Sequence, residues 1–339
     1  MADVYADTVL LAARAWIKEQ DNKAFELRPV VSNIIEAYLL DREYTIPNLA
    51  AIKAATTQTT TAMYFEDKTF TIGTAKSNTP SGEKSGTGTA DLTWAVKNFV
   101  VDLPAKQYDG NEVTQAKGYA MSLYNVEKTF WSSMDDTLLA HLIANLSTVN
   151  DADGYGGTFT TNDMSIAATD IDEFYNIVSP QMQMNDFKQD YLDIHDTMWL
   201  RYARLYAAQG AGNSTNLSFQ FGGFQTFASN KILPASSDYS THYIIPKQGI
   251  ALLDWNNPRN VQGTGSFANG YLTTYQSLFF PELTFDVFVK ESWGDTSLDG
   301  GEVQDPTLTL EFSLNYSMVT QPFTEAGRTA IYKYTVSKT

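Results

Sequence analysis

Not one of the 339 residues is a cysteine. That absence excludes disulfide frameworks, thiol nucleophiles and cysteine-ligated zinc, and leaves stability to packing. Histidine is nearly as scarce, with only His141, His195 and His242, so bases for a nucleophile–base pair are few. Positive charge is also short: 23 Lys and Arg face 39 Asp and Glu, a formal charge of −16. The basic footprint that phosphate binding needs is missing, which argues against sequence-specific DNA or RNA binding. No uncharged apolar run reaches the ~18 residues of a bilayer-spanning helix. Met1 to Asn22 sets Asp3, Asp7, Lys18, Glu19 and Asp21 around a short amphipathic stretch, without a basic start, long apolar centre or small-residue cleavage site. The expectation is a chain made and kept in a soluble compartment, with no membrane partner.

What is present is a globular composition, 43% hydrophobic and 18% charged, in a chain of about two ordinary domain lengths. Residues 4–19 place Val4, Leu10, Leu11, Ala13, Trp16 and Ile17 at helical spacing. After Pro29, residues 30–40 repeat the pattern with Val31, Ile34, Ile35, Tyr38 and Leu39. From Thr56 the texture turns Thr-rich, and residues 63–72 and 92–103 read as strands flanking a polar, Gly-containing stretch at 75–90. The simplest geometry is a long two-stranded arm with a polar tip. An isolated ribbon is barely stable in water, so such an arm needs another surface to lie on.

Asp109-Gly110-Asn111-Glu112 reads as a helix N-cap with a reciprocal Glu. Val113, Ala116, Ala120, Leu123, Phe130, Met134, Leu138 and Leu142 follow at three- and four-residue steps, predicting one helix over 110–146, roughly 50 Å long. A turn-rich break spans 150–157. Thr169 is expected to cap a helix through Met182, residues 191–195 to form a buried strand, and Thr197 to open a helix over 198–208. Beyond lie β patterns at 219–228 around Gly222-Gly223, then at 243–245, 250–255, 278–289, 308–318 and 330–336.

Motifs that carry chemistry are weak. His141 has no HExxH context and reads as packing. Asp193 and His195 are alternate strand residues on one face, where a carboxylate could orient an imidazole, yet a strand end leading into a helix cap explains them equally well. Asp151, Asp153 and Gly156 resemble a calcium loop, but Tyr155 stands where an oxygen ligand is required and Asn162 where a bidentate Glu belongs. The Gly pairs at 210–212 and 263–265 are neither a dinucleotide fingerprint nor a Walker motif. The aromatic content of 13% includes Trp94, Trp131, Trp199, Trp255 and Trp293, which could line a carbohydrate platform or fill cores and subunit contacts. No catalytic residue, metal ligand or cofactor site is assigned.

The order of elements resembles the major capsid proteins of tailed bacteriophages, the Hong Kong ninety-seven fold. Phe99-Val100-Val101-Asp102-Leu103-Pro104 entering Asp109-Gly110 looks like that family's loop-to-helix junction. Tyr191-Leu192-Asp193-Ile194-His195 before Thr197 looks like its strand–helix pair, and residues 222–230 like the Gly-rich return after it. The resemblance implies an α+β fold with an N-terminal arm (1–55), an extended β-hairpin loop (56–103) and a peripheral domain (104–165) carrying the spine helix. An axial domain (166–270) and a β-rich return to the peripheral domain (271–339) complete it. It also implies a non-enzymatic shell protein of the virion, assembled in the host cytoplasm as pentamers and hexamers around double-stranded DNA held without sequence-specific binding. Separate scaffolding and portal proteins would serve it, with decoration proteins a further option, and the N-terminal helices would lap over neighbours. Expected inter-subunit contacts are Tyr64, Phe65, Phe70, Lys76, Lys84 and Trp94. Some family members cross-link a loop Lys to a neighbour's Asn with a Glu assisting; Lys68, Lys76 and Lys84 lie in the arm, but no partner can be placed. An encapsulin-like nanocompartment shell and a carbohydrate-binding surface protein are the alternatives.

Overall fold

A computed structural model describes residues 15, 33–65, 82, 86–104, 115–188, 190–201, 218–221, 223–256, 270–295, 304–323 and 325–338. Three short helices come first: α1 (Ile34–Leu39), α2 (Arg42–Thr45) and α3 (Leu49–Ala54). A ribbon of β1 (Thr61–Phe65) and β2 (Thr87–Asp91) follows, then β3 (Ala95–Pro104) and the long helix α4 (Gln115–Ala144). At 1.5 Å per residue α4 is about 45 Å long. Its buried residues Tyr119, Leu123, Phe130, Met134, Leu138 and Leu142 keep the three- and four-residue spacing read from the sequence. The cap at 109–112 lies outside the described residues. The helix stops at Ala144, because Leu146 bridges to Ile331 and Ser147 takes the Ile331 carbonyl at 2.8 Å.

Two larger sheets organise the rest. β10 (Ile250–Trp255), β11 (Tyr271–Gln276), β12 (Thr284–Asp295) and β13 (Gln304–Thr320) join β3 in an antiparallel five-stranded sheet in which β13 pairs with β3, β12 and β10. The helix α4 packs on this sheet, with Phe130 and Trp131 against Phe99, Phe285 and Phe280. The other sheet has seven strands: β4 (Thr158–Thr160), β5 (Asp163–Ile166), β14 (Tyr332–Ser337), β9 (Asp238–Pro246), β6 (Tyr191–Asp196), β8 (Phe224–Ser229) and β7 (Ser218–Phe221), in that spatial order. It is mixed, with β6 parallel to β8 and β14 parallel to β5. Helix α5 (Phe174–Met184) covers it through Phe174, Tyr175, Val178 and Met182. The fold is α+β, as expected.

Several expectations are corrected. Residues 92–103 are not the second strand of the arm. That strand is β2, paired Thr61↔Asp91 to Phe65↔Thr87, while β3 pairs with β13 over 95–104. The sequence hid β2 because Thr87-Gly88-Thr89-Ala90 carries no large apolar residue. The last strand does not rejoin the β3–β13 sheet, since β14 lies between β5 and β9; conversely β10, placed in the axial stretch, pairs with β13. Residues 168–173 form a 3-10 turn before α5, consistent with the poor helix propensity of Thr169, Asp170 and Asp172. A second 3-10 turn spans Thr197–Trp199, capped by Asp196 rather than by Thr197.

The N-terminal helices are corrected most. Ile34, Ile35, Ala37 and Tyr38 are fully buried against their own chain in the main core with α4, and Ile46, Leu49 and Ile52 are buried with Ala251, Leu253 and Val319. The apolar faces of residues 33–54 are therefore covered by the subunit's own body and are not left exposed as the sequence suggested. The segment 4–19 lies outside the described residues. Truncating Ile35→Ala should therefore cost about 2–5 kcal/mol of subunit stability. Denaturant unfolding of the dissociated subunit checks this, and an unchanged midpoint would mean that α1 is held elsewhere.

Candidate functional site

With no catalytic pocket indicated by the sequence, two features bear on function: the ribbon and a buried polar cluster. The ribbon's base is fixed. Ala62 and Leu92 are buried with Trp94 packed beside them, in a cluster with Ile46, α3, β10 and β13. The Trp94 indole donates to the Thr59 carbonyl at 2.6 Å, and the Met63 amide donates to Asn48 Oδ1 at 3.1 Å. Further out, Tyr64 faces Gly88 across the ladder, and a Cβ on residue 88 would collide with the Tyr64 ring. Glycine is thus required there for the tyrosine to lie across the strand. Among the described residues, β1 and β2 pair only with each other.

Two buried anchors hold the body behind the ribbon. Arg42 donates to Asp254 at 3.0 Å and to the Leu252 and Glu282 carbonyls, while Lys53 reaches the same Asp254 carboxylate at 2.7 Å. Glu127 on α4 accepts from Ser277, from the Leu278 amide at 2.9 Å and from the Trp131 indole at 3.1 Å, so the helix grips the turn between β11 and β12. Burial raises the Glu127 carboxyl, and the hydrogen bonds from Ser277 and Trp131 only partly offset this.

The polar cluster lies inside the seven-stranded sheet. His242 Nδ1 stands 2.9 Å from Asp193 Oδ1, and His242 Nε2 is 2.9 Å from Ser240 Oγ. By distance this is a Ser–His–Asp constellation. It cannot serve as one: all three side chains are buried, and the Ser240 hydroxyl donates to Asp196 at 2.6 Å instead of to the imidazole. A nucleophile must be reachable and must give its proton to the base. The Asp193 partner is also not the one the strand alternation suggested. His195 turns its Nδ1 to the Asp196 carbonyl at 2.7 Å, and the imidazole that Asp193 orients is His242, on the neighbouring strand. Burial pushes the Asp193 carboxyl up, but the charge and hydrogen bond of His242, with His195 and Tyr175, hold it below the usual carboxylate range. Burial lowers His195, against the pull of Asp193.

No family model matches the sequence, and no curated protein matches it. Among solved structures the chain is similar to the capsid of Ralstonia phage GP4, at 10% identity over 93% of each chain with a TM-score of 0.48. It is similar to a structure from Mycobacterium phage Adephagia, at 13% identity over 91% of this chain and 90% of that chain with a TM-score of 0.45. It is also similar to the capsid of a native GTA particle, at 8% identity over 83% of this chain and 86% of that chain with a TM-score of 0.47.

Of the six residues expected at subunit contacts, the structure places three. Tyr64 and Phe65 are on β1, and Trp94 sits at the ribbon's base, bonded within its own chain. Phe70, Lys76 and Lys84 lie outside the described residues, as do Lys68 and the Gly pairs at 210–212 and 263–265. Among the described tryptophan side chains there is no platform: Trp131 and Trp199 are fully buried, and Trp255 donates to the Ala55 carbonyl at 3.0 Å, while the Trp293 side chain lies outside those described. The calcium-like loop is tied internally, with Asp151 paired to Arg328 and Asp153 accepting from the Phe159 amide. Sequence reasoning missed Glu127, Ser240 and His242. Only Glu127 left a signal, as the charge interrupting the apolar stripe of α4.

His141 is half-buried beside Tyr38, whose hydroxyl lies 2.7 Å from its Nδ1, and desolvation there lowers its pKa to about 4. His141 and His195 both titrate below the ordinary value of about 6.5, so the unfolded chain binds protons first as pH falls. Their contribution to stability is present above about 6.5 and is lost as pH drops below it. Melting temperature should therefore fall between about pH 6.5 and 4, and less steeply in His141→Asn. Equal slopes in the two proteins would show that His141 takes no part.

Proposed function

We propose that this chain is a major capsid protein that self-assembles into the icosahedral shell enclosing a double-stranded DNA phage genome. The observation that carries this reading is the ribbon. Its described strands pair only with each other, and its base is packed into the body. Its strands are joined by 21 residues, 66–86, mostly polar, with Phe70 and Ile72 the large apolar exceptions. A two-stranded ribbon does not sustain itself in water, and an extension of this length makes physical sense where a neighbouring copy supplies the surface. The order ribbon, long helix, mixed sheet and long antiparallel sheet agrees with the layout expected of the Hong Kong ninety-seven architecture. On this reading the β3–β13 sheet with α4 is the peripheral body and the seven-stranded sheet the axial one. The subunits form pentamers and hexamers with separate scaffolding and portal proteins, assemble in the host cytoplasm and reside in the virion. A charge of −16 suits a container from which DNA must be released. The role is structural and not enzymatic, with Tyr64, Phe65, Phe70, Lys76 and Lys84 toward neighbouring copies.

The pairing Phe65↔Thr87 defines a clean experiment. Replacing residues 66–86 by Asn-Gly keeps both strands in register. Circular dichroism and melting of the subunit should be unchanged, while particle yield by negative-stain microscopy should collapse. Unchanged particles would overturn the role of the arm, and a sharp monomer for the native chain under every salt and scaffolding condition would overturn the shell.

Charge supplies a second test. Copies carrying −16 each repel, and salt screens that repulsion beyond about 8 Å at physiological ionic strength. Light scattering from assembling protein should rise with added salt. A steep fall would mean that complementary ion pairs drive association.

A further inference from the structure

We propose that His242 is a buried, doubly protonated clamp joining two ionised carboxylates, Asp193 and Asp196, and that it makes the seven-stranded sheet sensitive to alkaline pH. The proposal does not depend on the shell reading. It follows from counting donors and acceptors around one imidazole.

Asp196 caps the turn after β6, its Oδ1 accepting the Met198 amide at 2.7 Å and the Trp199 amide at 3.2 Å. Its Oδ2 accepts the Thr241 amide at 2.7 Å and the Ser240 hydroxyl at 2.6 Å. Three backbone N–H groups on one carboxyl favour its ionised form, so the proton between Ser240 and Asp196 belongs to the serine. The Ser240 oxygen can then only accept from His242 Nε2, which must carry a hydrogen. At the other end, the Trp199 indole donates to the Tyr175 hydroxyl at 3.0 Å, and that hydroxyl donates to Asp193 Oδ2 at 2.8 Å. Asp193 is therefore an acceptor on this side, and its Oδ1 accepts from His242 Nδ1 at 2.9 Å. Both imidazole nitrogens are donors, which is the imidazolium.

The surroundings suit a cation. The Phe174 ring lies 4.3 Å and the Trp199 ring 4.5 Å from the imidazole, centroid to centroid. The titratable groups that face it are Asp193, His195 and Asp196 from β6, Tyr175 from α5 and Tyr334 from β14, the register partner of His242. His195, 5.7 Å away, donates through Nδ1 to the Asp196 carbonyl and has no partner at its buried Nε2. It is the neutral member of the pair, which burial also favours. Removing the His242 proton leaves one N–H for two acceptors and two buried carboxylates without a cation between them. A buried charge stripped of its partner destabilises strongly, so the β6–β9 contact weakens as pH rises.

The test uses the full chain labelled with 15N at histidine, where three residues give a spectrum assignable by single His→Gln variants. Near neutral pH, His242 should show two protonated ring nitrogens while His195 and His141 each show one. A lone-pair nitrogen on His242 under those conditions overturns the proposal. Melting temperature supplies the second readout: the native chain should lose stability as pH rises, His242→Gln should lose that dependence, and Ser240→Ala should move the loss to lower pH. If His242→Gln fails to fold, the native spectrum and Ser240→Ala decide; an alkaline loss unshifted in Ser240→Ala overturns the proposal.

Discussion

Strand β13 is the constraint on which the rest of the β3–β13 body depends. Over its 17 residues it pairs with β12 along 304–313, β3 along 307–316 and β10 along 315–320. Side chains alternate along a strand, so Leu308, Leu310, Phe312, Leu314 and Tyr316 all turn to the core and none can be moved alone. A one-residue slip would expose the whole set. Phe312 fixes the register further, stacked on Phe99 at 4.7 Å, with Phe285 and Phe130 edge-on or tilted around the pair. Aromatic pairs of this kind contribute about 0.5–1.5 kcal/mol each beyond their burial.

The far end of the same strand decides where the ribbon begins. Val319 of β13 and Ala251 and Leu253 of β10 share one apolar cluster with Ile46, Leu49, Ile52, Ala62 and Leu92. The Arg42–Asp254–Lys53 contacts tie the helices of that cluster to β10. The ribbon's root is thus part of the sheet's packing, and its direction is set by the subunit.

Most of this was legible in the sequence where periodicity was strong. The stripe of α4, the strands before and after Gly222-Gly223 and the buried runs at 191–195 and 250–255 all appear as read. Strand β2 was illegible because Thr, Gly, Thr and Ala hold their place by backbone pairing and by the Tyr64 ring over Gly88, neither of which leaves an apolar pattern. The fate of 33–54 was illegible for a different reason. An amphipathic helix states that it needs a partner without stating whose, and here the partner is its own α4 and β10. The same limit applied to Asp193, whose true imidazole comes from a strand nearly 50 residues away and becomes a neighbour only through the β6–β9 register.

Charge is used in two opposite ways in this molecule. Inside, carboxylates act as organisers: Asp254 between Arg42 and Lys53, Asp196 under three amides and a hydroxyl, Glu127 under the turn at 277–278. Over the whole chain 39 acidic residues still outnumber 23 basic ones, and several of the cations are already spent within the chain, as Arg328 is on Asp151 and Glu325 and Lys333 on Asp163. Long-range attraction between copies is therefore not available from net charge, and exposed ion pairs contribute little in any case. The self-assembly proposed above therefore rests on short-range fit, through strand edges and apolar side chains, and the β13 register with the cluster beneath the ribbon is what fixes where those groups stand in the subunit.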